Sequence, residues 1–229
     1  GEKGTTVTFT IFRDGESSKI SVVRDTITVP TIETATEDGV FIISFYSFTA
    51  NSSQLFAKAI GEFRTSGTTK LIIDLRSNPG GYLESAVSVA SHFLPKGAVV
   101  VTEDYKGKQE NVVHRSKGIG GIPKGTNVAI LIDQGSASAS EILAGALQDD
   151  GVATLIGTRS FGKGSVQELI DINGGALKVT IALWLTPAGR TISDGGLTPD
   201  IEVPYTPEDR EAKADPQKAR AIEFLNTGI

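Results

Sequence analysis

The chain has 229 residues, 39% of them hydrophobic, with 22 basic against 27 acidic side chains and a formal net charge of −5, which suits one main core and leaves no electrostatic footprint for nucleic acid. With no cysteine there is neither a disulfide framework nor a thiolate metal site, and the compartment stays open. The longest apolar runs fall far short of a membrane span, no signal peptide is read at the start, and a Gly first residue with no Met anywhere reads as a processed or trimmed chain.

Residues 5 to 24 alternate in two runs around "RDGESS", the pattern of a β-hairpin, and a second hairpin is expected to turn at Asp38-Gly39. Leu55, Phe56, Ala59, Ile60 and Phe63 then share one face of an amphipathic helix capped by Asn51 or Ser52. "KLIIDL" reads as a buried strand, "NPGG" as a turn, and "LESAVSVASHFL" as a helix whose Leu83, Ala86, Val87, Ala90 and Leu94 face inward. The alternation continues through 98–104, 126–132, 138–149 and 153–157 and predicts an α/β layered core with crossover helices. Two strands, "SVQELIDI" and "ALKVTIALWLT", and a helix near 214–226 complete the chain. The glycine-rich "GIGGIPKG" at 118–125 reads as a surface loop or a lip to a cleft.

The run "VAILIDQGSASASEILAGALQ", residues 128–148, carries the chemistry. Ser136, Ser138 and Ser140 sit where strand becomes helix, beside unpaired backbone N–H groups and the positive end of a helix dipole, a place that favours an oxyanion. Helix capping explains such serines equally well. No Gly-x-Ser-x-Gly elbow is present, so an α/β-hydrolase triad has no support. His92 and His114 read as surface residues, and two isolated histidines make no metal ligand set. The remaining candidate base is a lysine. "GTRSFGKGSVQ" resembles a phosphate loop, but Gly164 stands where Ser or Thr is needed and the following segment alternates as a strand. In an extended segment Lys163, Ser165 and Gln167 point to one side, which lets Gln167 hold the amine by a hydrogen bond. A solvated loop tip is the alternative. Asp74 and Arg76 are expected to form a structural ion pair.

"IIDLRSNPGG", "GSASASEILAGALQD", "SFGKGSVQ" and "LTPAGRTISDGGLTPDIEV", in this order, resemble the C-terminal processing peptidases, or tail-specific proteases, over most of residues 30–229. The resemblance implies a serine endopeptidase acting in or near the C-terminal regions of proteins through a Ser/Lys dyad and an acyl-enzyme. Ser138 is then the nucleophile, Lys163 the general base and Gln167 the residue that orients it, with the backbone N–H groups of Gly81 and Ala139 as the oxyanion hole and no cofactor or metal. Asp149 also matches an acidic position of the family, though a carboxylate at a helix end has an ordinary structural explanation. For fold, the resemblance implies an α/β layered, crotonase-like ββα core with additional β-strands over 29–229, preceded at 1–28 by the closing strands of a truncated PDZ domain. It further implies a protein or peptide substrate with a flexible C-terminal tail and an extracytoplasmic setting, the bacterial periplasm or cell envelope, or a plastid lumen. Homo-oligomerisation is left open, and any membrane attachment falls outside this chain. A lysine serving as base at neutral pH needs a pKa brought down from about 10.4 to about 7–8, so Lys163 is expected to be buried against Phe161 and neighbouring apolar strands. A non-catalytic peptide-binding or resting scaffold, or a crotonase-type acyl-thioester enzyme, are the alternatives.

Overall fold

In a computed structural model, which describes residues 1–27, 29–193 and 195–228, the chain divides into two compact units, Gly1–Pro30 and the remainder. Thr28, at the expected end of the N-terminal segment, and Asp194, inside the fourth quoted motif, lie outside the described residues. The first unit is one antiparallel hairpin, β1 (Thr6–Arg13) with β2 (Glu16–Val23). Its turn residues Asp14 and Gly15 both have positive φ, 53° and 82°, the demand of a tight two-residue hairpin turn.

The second unit is organised by a six-stranded sheet of order β12-β9-β8-β5-β4-β3. Its strands are β3 (Ile32–Glu37), β4 (Val40–Phe45), β5 (Lys70–Asp74), β8 (Asn127–Ile132), β9 (Ala153–Gly157) and β12 (Ile201–Glu202). The β3–β4 hairpin turns at Asp38-Gly39 and is antiparallel; the other pairings are parallel. Period-two alternation feeds two cores. Phe41, Ile43 and Phe45 of β4 and Ile130 and Ile132 of β8 face one side, against α1 (Ser52–Ser66), α2 (Leu83–Ala90) and α3 (Ala139–Asp149). Val40 and Ile42, with Ala129 and Leu131, face the other, against Ala221, Ile222 and Leu225 of α5 (Pro216–Thr227). Phe56, Ala59, Ile60 and Phe63 of α1 are buried as their spacing predicts.

The expectation of a crotonase-like ββα repeat is not met. The strand after α2, β6 (Val99–Asp104), does not return to the parallel sheet. It joins β7 (Val112–Arg115), β10 (Ser165–Ile172) and β11 (Gly175–Leu185) in a separate four-stranded antiparallel sheet of order β10-β11-β6-β7. Periodicity marks β6 as a strand but says nothing about its partners; only Val100 and Val101 are buried, and its polar end pairs with Leu183–Leu185. His92 also departs from expectation. α2 ends at Ala90, the chain turns, and the ring is buried with Nδ1 2.7 Å from the Gly120 carbonyl oxygen.

A clasp docks α5 onto the sheet. The Arg76 guanidinium, at the end of β5, bonds Asp74 at 2.6 and 2.9 Å and Asp215, the N-cap of α5, at 2.7 and 2.8 Å. Burial works against the Arg76 charge, but the two carboxylates outweigh it and raise its pKa. Burial likewise works against ionisation of Asp215, and the Arg76 guanidinium with the Lys218 N–H outweighs it, so its pKa is lowered. A lowered carboxylate contributes stability above its unfolded value of about 3.9 and loses it as pH falls through the folded value. Asp215→Asn should therefore lower the unfolding free energy at pH 7 by about 1–3 kcal/mol, allowing for partial exposure. Urea titrations should show the gap from wild type closing below about pH 4; a gap constant from pH 7 to 3 would remove the ion pair as its cause.

Candidate active site

β8 ends at Ile132, and the chain turns through Asp133–Ala137 before α3 begins at Ala139. The three serines of this junction differ in what they do. The buried Ser136 hydroxyl donates to the Leu75 carbonyl at 2.8 Å and accepts from the Asp133 N–H at 3.0 Å. Buried Ser140 donates to the Asn78 carbonyl at 3.0 Å. Both are used in holding the turn. Ser138 between them is half-buried, with φ 56° and ψ −116°, a conformation that costs a side-chain-bearing residue on the order of 1–3 kcal/mol.

The opposite wall is the turn after β5. Asn78 is wholly buried; its side chain donates to the Phe45 carbonyl at 2.5 Å and accepts from the Gly80 N–H at 2.9 Å. Its own carbonyl accepts from the Ala137 N–H at 3.0 Å. This stitches the ends of β4 and β5 to the serine turn. Both following glycines are required by close approach: a Cβ at Gly80 would stand 2.8 Å from the Ala139 nitrogen, and one at Gly81 2.0 Å from the Phe48 carbonyl oxygen. Phe48 N–H bonds Gly80 O and Tyr82 N–H bonds Phe48 O, so the Gly81 N–H faces away from Phe48. Ala139 is the first residue of its helix, where an N–H has no intrahelical acceptor. Among the described residues, these two main-chain donors have no acceptor in the walls around Ser138.

Lys163 is brought to the same helix end by a residue not singled out from the sequence. Glu141, in the first turn of α3, has 0% exposure. Its Oε2 accepts from the N–H groups of Ser138 at 2.8 Å and Lys163 at 3.0 Å, and its Oε1 from the Gly162 N–H at 2.7 Å and the Ser160 hydroxyl at 2.6 Å. One carboxylate ties the main chain at Ser138 to the main chain at Lys163. The signal was present in Ser138-x-x-Glu141, the spacing of a capping box.

The side chains beyond this clamp are not assembled as expected. Lys163 is exposed, and so is Phe161 at 64%, so the predicted burial is absent. No hydrogen bond joins the Lys163 amine to the Ser138 hydroxyl or to Gln167, which is exposed on β10 next to a register shift between Val166 and Gln167. The geometric reason is that the clamp grips backbone and leaves the lysine stem to solvent. His114 lies apart, its Nε2 2.7 Å from Glu103 Oε1, and Asp149 pairs with Arg190 and accepts the Ala188 N–H at 2.8 Å. Among the described residues, no group of three or more His, Asp or Glu side chains could hold a metal ion.

Residues 39–203 match Peptidase family S41. The carboxy-terminal-processing protease of Bartonella bacilliformis is 43% identical over 210 residues, 89% of this chain and 48% of that protein. A probable CtpA-like serine protease of Staphylococcus epidermidis is 39% identical over 204 residues, 89% of this chain and 41% of that one. The chain therefore spans about half the length of the curated relatives it matches. Among solved structures, a photosystem II D1 C-terminal processing protease superposes with a TM-score of 0.76 at 26% identity, over 99% of this chain and 61% of that one. That likeness carries the fold: an α/β architecture of mixed sheets shared with the D1 processing protease, in place of the crotonase-like repeat.

Glu141→Gln tests the clamp. The amide turns an acceptor into a donor facing two N–H or O–H groups, and each buried donor left unpaired costs about 1–3 kcal/mol. Chemical denaturation should show a loss of about 2–5 kcal/mol, with faster amide hydrogen exchange at Gly162 and Lys163. Wild-type protection at both amides would separate the loop from the carboxylate.

Proposed function

The chain belongs to peptidase family S41, and from that membership we propose that it is a serine endopeptidase cleaving polypeptides in or near their C-terminal regions. Ser138 is the nucleophile, Lys163 the general base, Gln167 its orienting partner, and the N–H groups of Gly81 and Ala139 form the oxyanion hole. The observation that carries the reading is a serine held at positive φ on a helix N-terminus with two acceptorless amides beside it. The neutral Lys163 amine takes the Ser138 proton while Oγ attacks the peptide carbonyl carbon, and the two amides meet the developing oxyanion. The C–N bond breaks, the leaving amine takes the proton back from Lys163, and water activated by the same amine releases the acyl group. Lys163 is exposed, so a polypeptide bound across it supplies the exclusion of water that the free site lacks.

The substrate is a protein with an unstructured C-terminal tail. The segment 1–28, which holds the β1–β2 hairpin, is the closing part of a PDZ domain preceding a peptidase core over 29–229, and the setting is extracytoplasmic, in a bacterial periplasm or cell envelope or in a plastid lumen. The exposure of Lys163 favours one second reading, a peptide-binding scaffold without turnover. Ser138→Ala and Lys163→Ala decide between them on an unfolded protein substrate with a flexible tail. Removing a dyad member should lower the cleavage rate by a factor of about 10³ or more. Equal activity in the variants would sink the dyad, and a wild type that binds the tail without cutting it would establish the scaffold.

A further inference from the structure

β10 is an edge strand of the four-stranded sheet: among the described residues it pairs with β11 on one side and with no strand on the other. Its distal part, with the facing part of β11, stands clear of β6, which meets β11 only at Leu183–Leu185. The register shows which groups are left open. Asn173 and Gly174, both at positive φ, make a two-residue turn, and such a turn is closed by a pair that exchanges both hydrogen bonds, here Ile172 and Gly175. Antiparallel pairs alternate, so Ile170 and Glu168 also bond to β11, while the N–H and C=O groups of Asp171, Leu169 and Gln167 point to the free edge. Residues directly opposite share a face, which puts Ile170, Ile172 and Leu177, 43%, 53% and 50% exposed, on one side of the ribbon with Val179, and Glu168 at the end of that face nearer the loop.

Exposed edges of this kind are normally blunted by Pro, Lys or a short strand. β10 has eight residues, no Pro and no Lys; its two carboxylates, Glu168 and Asp171, and the register shift at Val166/Gln167 leave the run from Gln167 to Ile172 in regular register. Three edge-facing amide and carbonyl pairs in a row beside an apolar face match the chemistry of an extended, apolar polypeptide segment, which offers the complementary main-chain groups and side chains of alternate positions. The strand begins at Ser165, two residues after the proposed base. We propose that the free edge of β10 receives the substrate segment next to the scissile bond as an added β-strand, paired to the main chain at Gln167, Leu169 and Asp171 and packed on Ile170 and Ile172. This inference rests on the peptidase reading above.

Leu169→Pro tests it. The N–H that proline removes faces the free edge, so the β10–β11 ladder keeps its bonds, whereas an incoming strand loses a donor and meets the ring. kcat/KM on an unstructured protein should fall about tenfold, mostly through KM. The urea unfolding midpoint of Leu169→Pro should stay near that of wild type, which separates lost strand pairing from lost folding, whereas Leu169→Ala, which keeps the N–H, should lose far less cleavage than Leu169→Pro. A second arm leaves the enzyme untouched: a tail peptide N-methylated at single amides should be cleaved slowly when alternate positions are blocked and normally at those between. Leu169→Pro cleaving like wild type, or N-methylation without alternation, would overturn the proposal. So would a wild-type dimer in sedimentation that Leu169→Pro dissociates, since the edge would then serve a second copy. Cleavage that survives Ser138→Ala would instead overturn the dyad and leave the edge to be judged by the N-methylated peptides.

Discussion

The candidate site depends on one buried carboxylate. Glu141 has no solvent contact, and an ion in that position is costly unless its lone pairs are filled. Here they accept from three main-chain N–H groups and one hydroxyl, at the positive end of α3, so the charge is held by hydrogen bonds and helix dipole together. Two segments far apart in sequence, the Ser138 turn and the Gly162-Lys163 loop, thereby share one anchor. Because the donors belong to the backbone, the clamp fixes where Lys163 leaves the chain and places no restraint on its amine.

The strain at Ser138 persists because its surroundings fix it from both sides. Ser136 bonds to the end of β5 and Ser140 to the carbonyl of Asn78, and Asn78 in turn spans the ends of β4 and β5. The glycine turn then packs so close to the serine turn that a single methyl group at Gly80 has no room. A positive φ held this way is set before any ligand arrives.

What could be read from the sequence followed from local periodicity and turn chemistry. Asp14-Gly15 and Asp38-Gly39 mark hairpins because few other pairs tolerate two positive φ values, and the α1 face is visible in the spacing of Phe56, Ile60 and Phe63. What escaped was set by tertiary partners. β6 reads as a strand in either sheet; His92 is buried only because the chain turns after α2; and the separate duties of Ser136, Ser138 and Ser140 depend on Leu75 and Asn78, more than sixty positions away. The site motifs could be recognised in the sequence, whereas the exposure of Lys163 was not, since burial of a loop residue depends on what lies over it.

That exposure and the open edge of β10 have one physical consequence. Lys163 is exposed, and only a partner lying across it can exclude water from its amine. A strand added to β10 leaves the edge at Ser165, beside the loop that carries Lys163, so pairing along the edge and desolvation of the amine would occur in one event. A folded protein has its strands paired and cannot offer one without unfolding locally, at a cost in stability, whereas a disordered tail pays only its own ordering entropy. Under the proposed reading, selection of unstructured segments follows from requiring the substrate to complete both the sheet and the dry environment at Lys163, with no recognition of sequence.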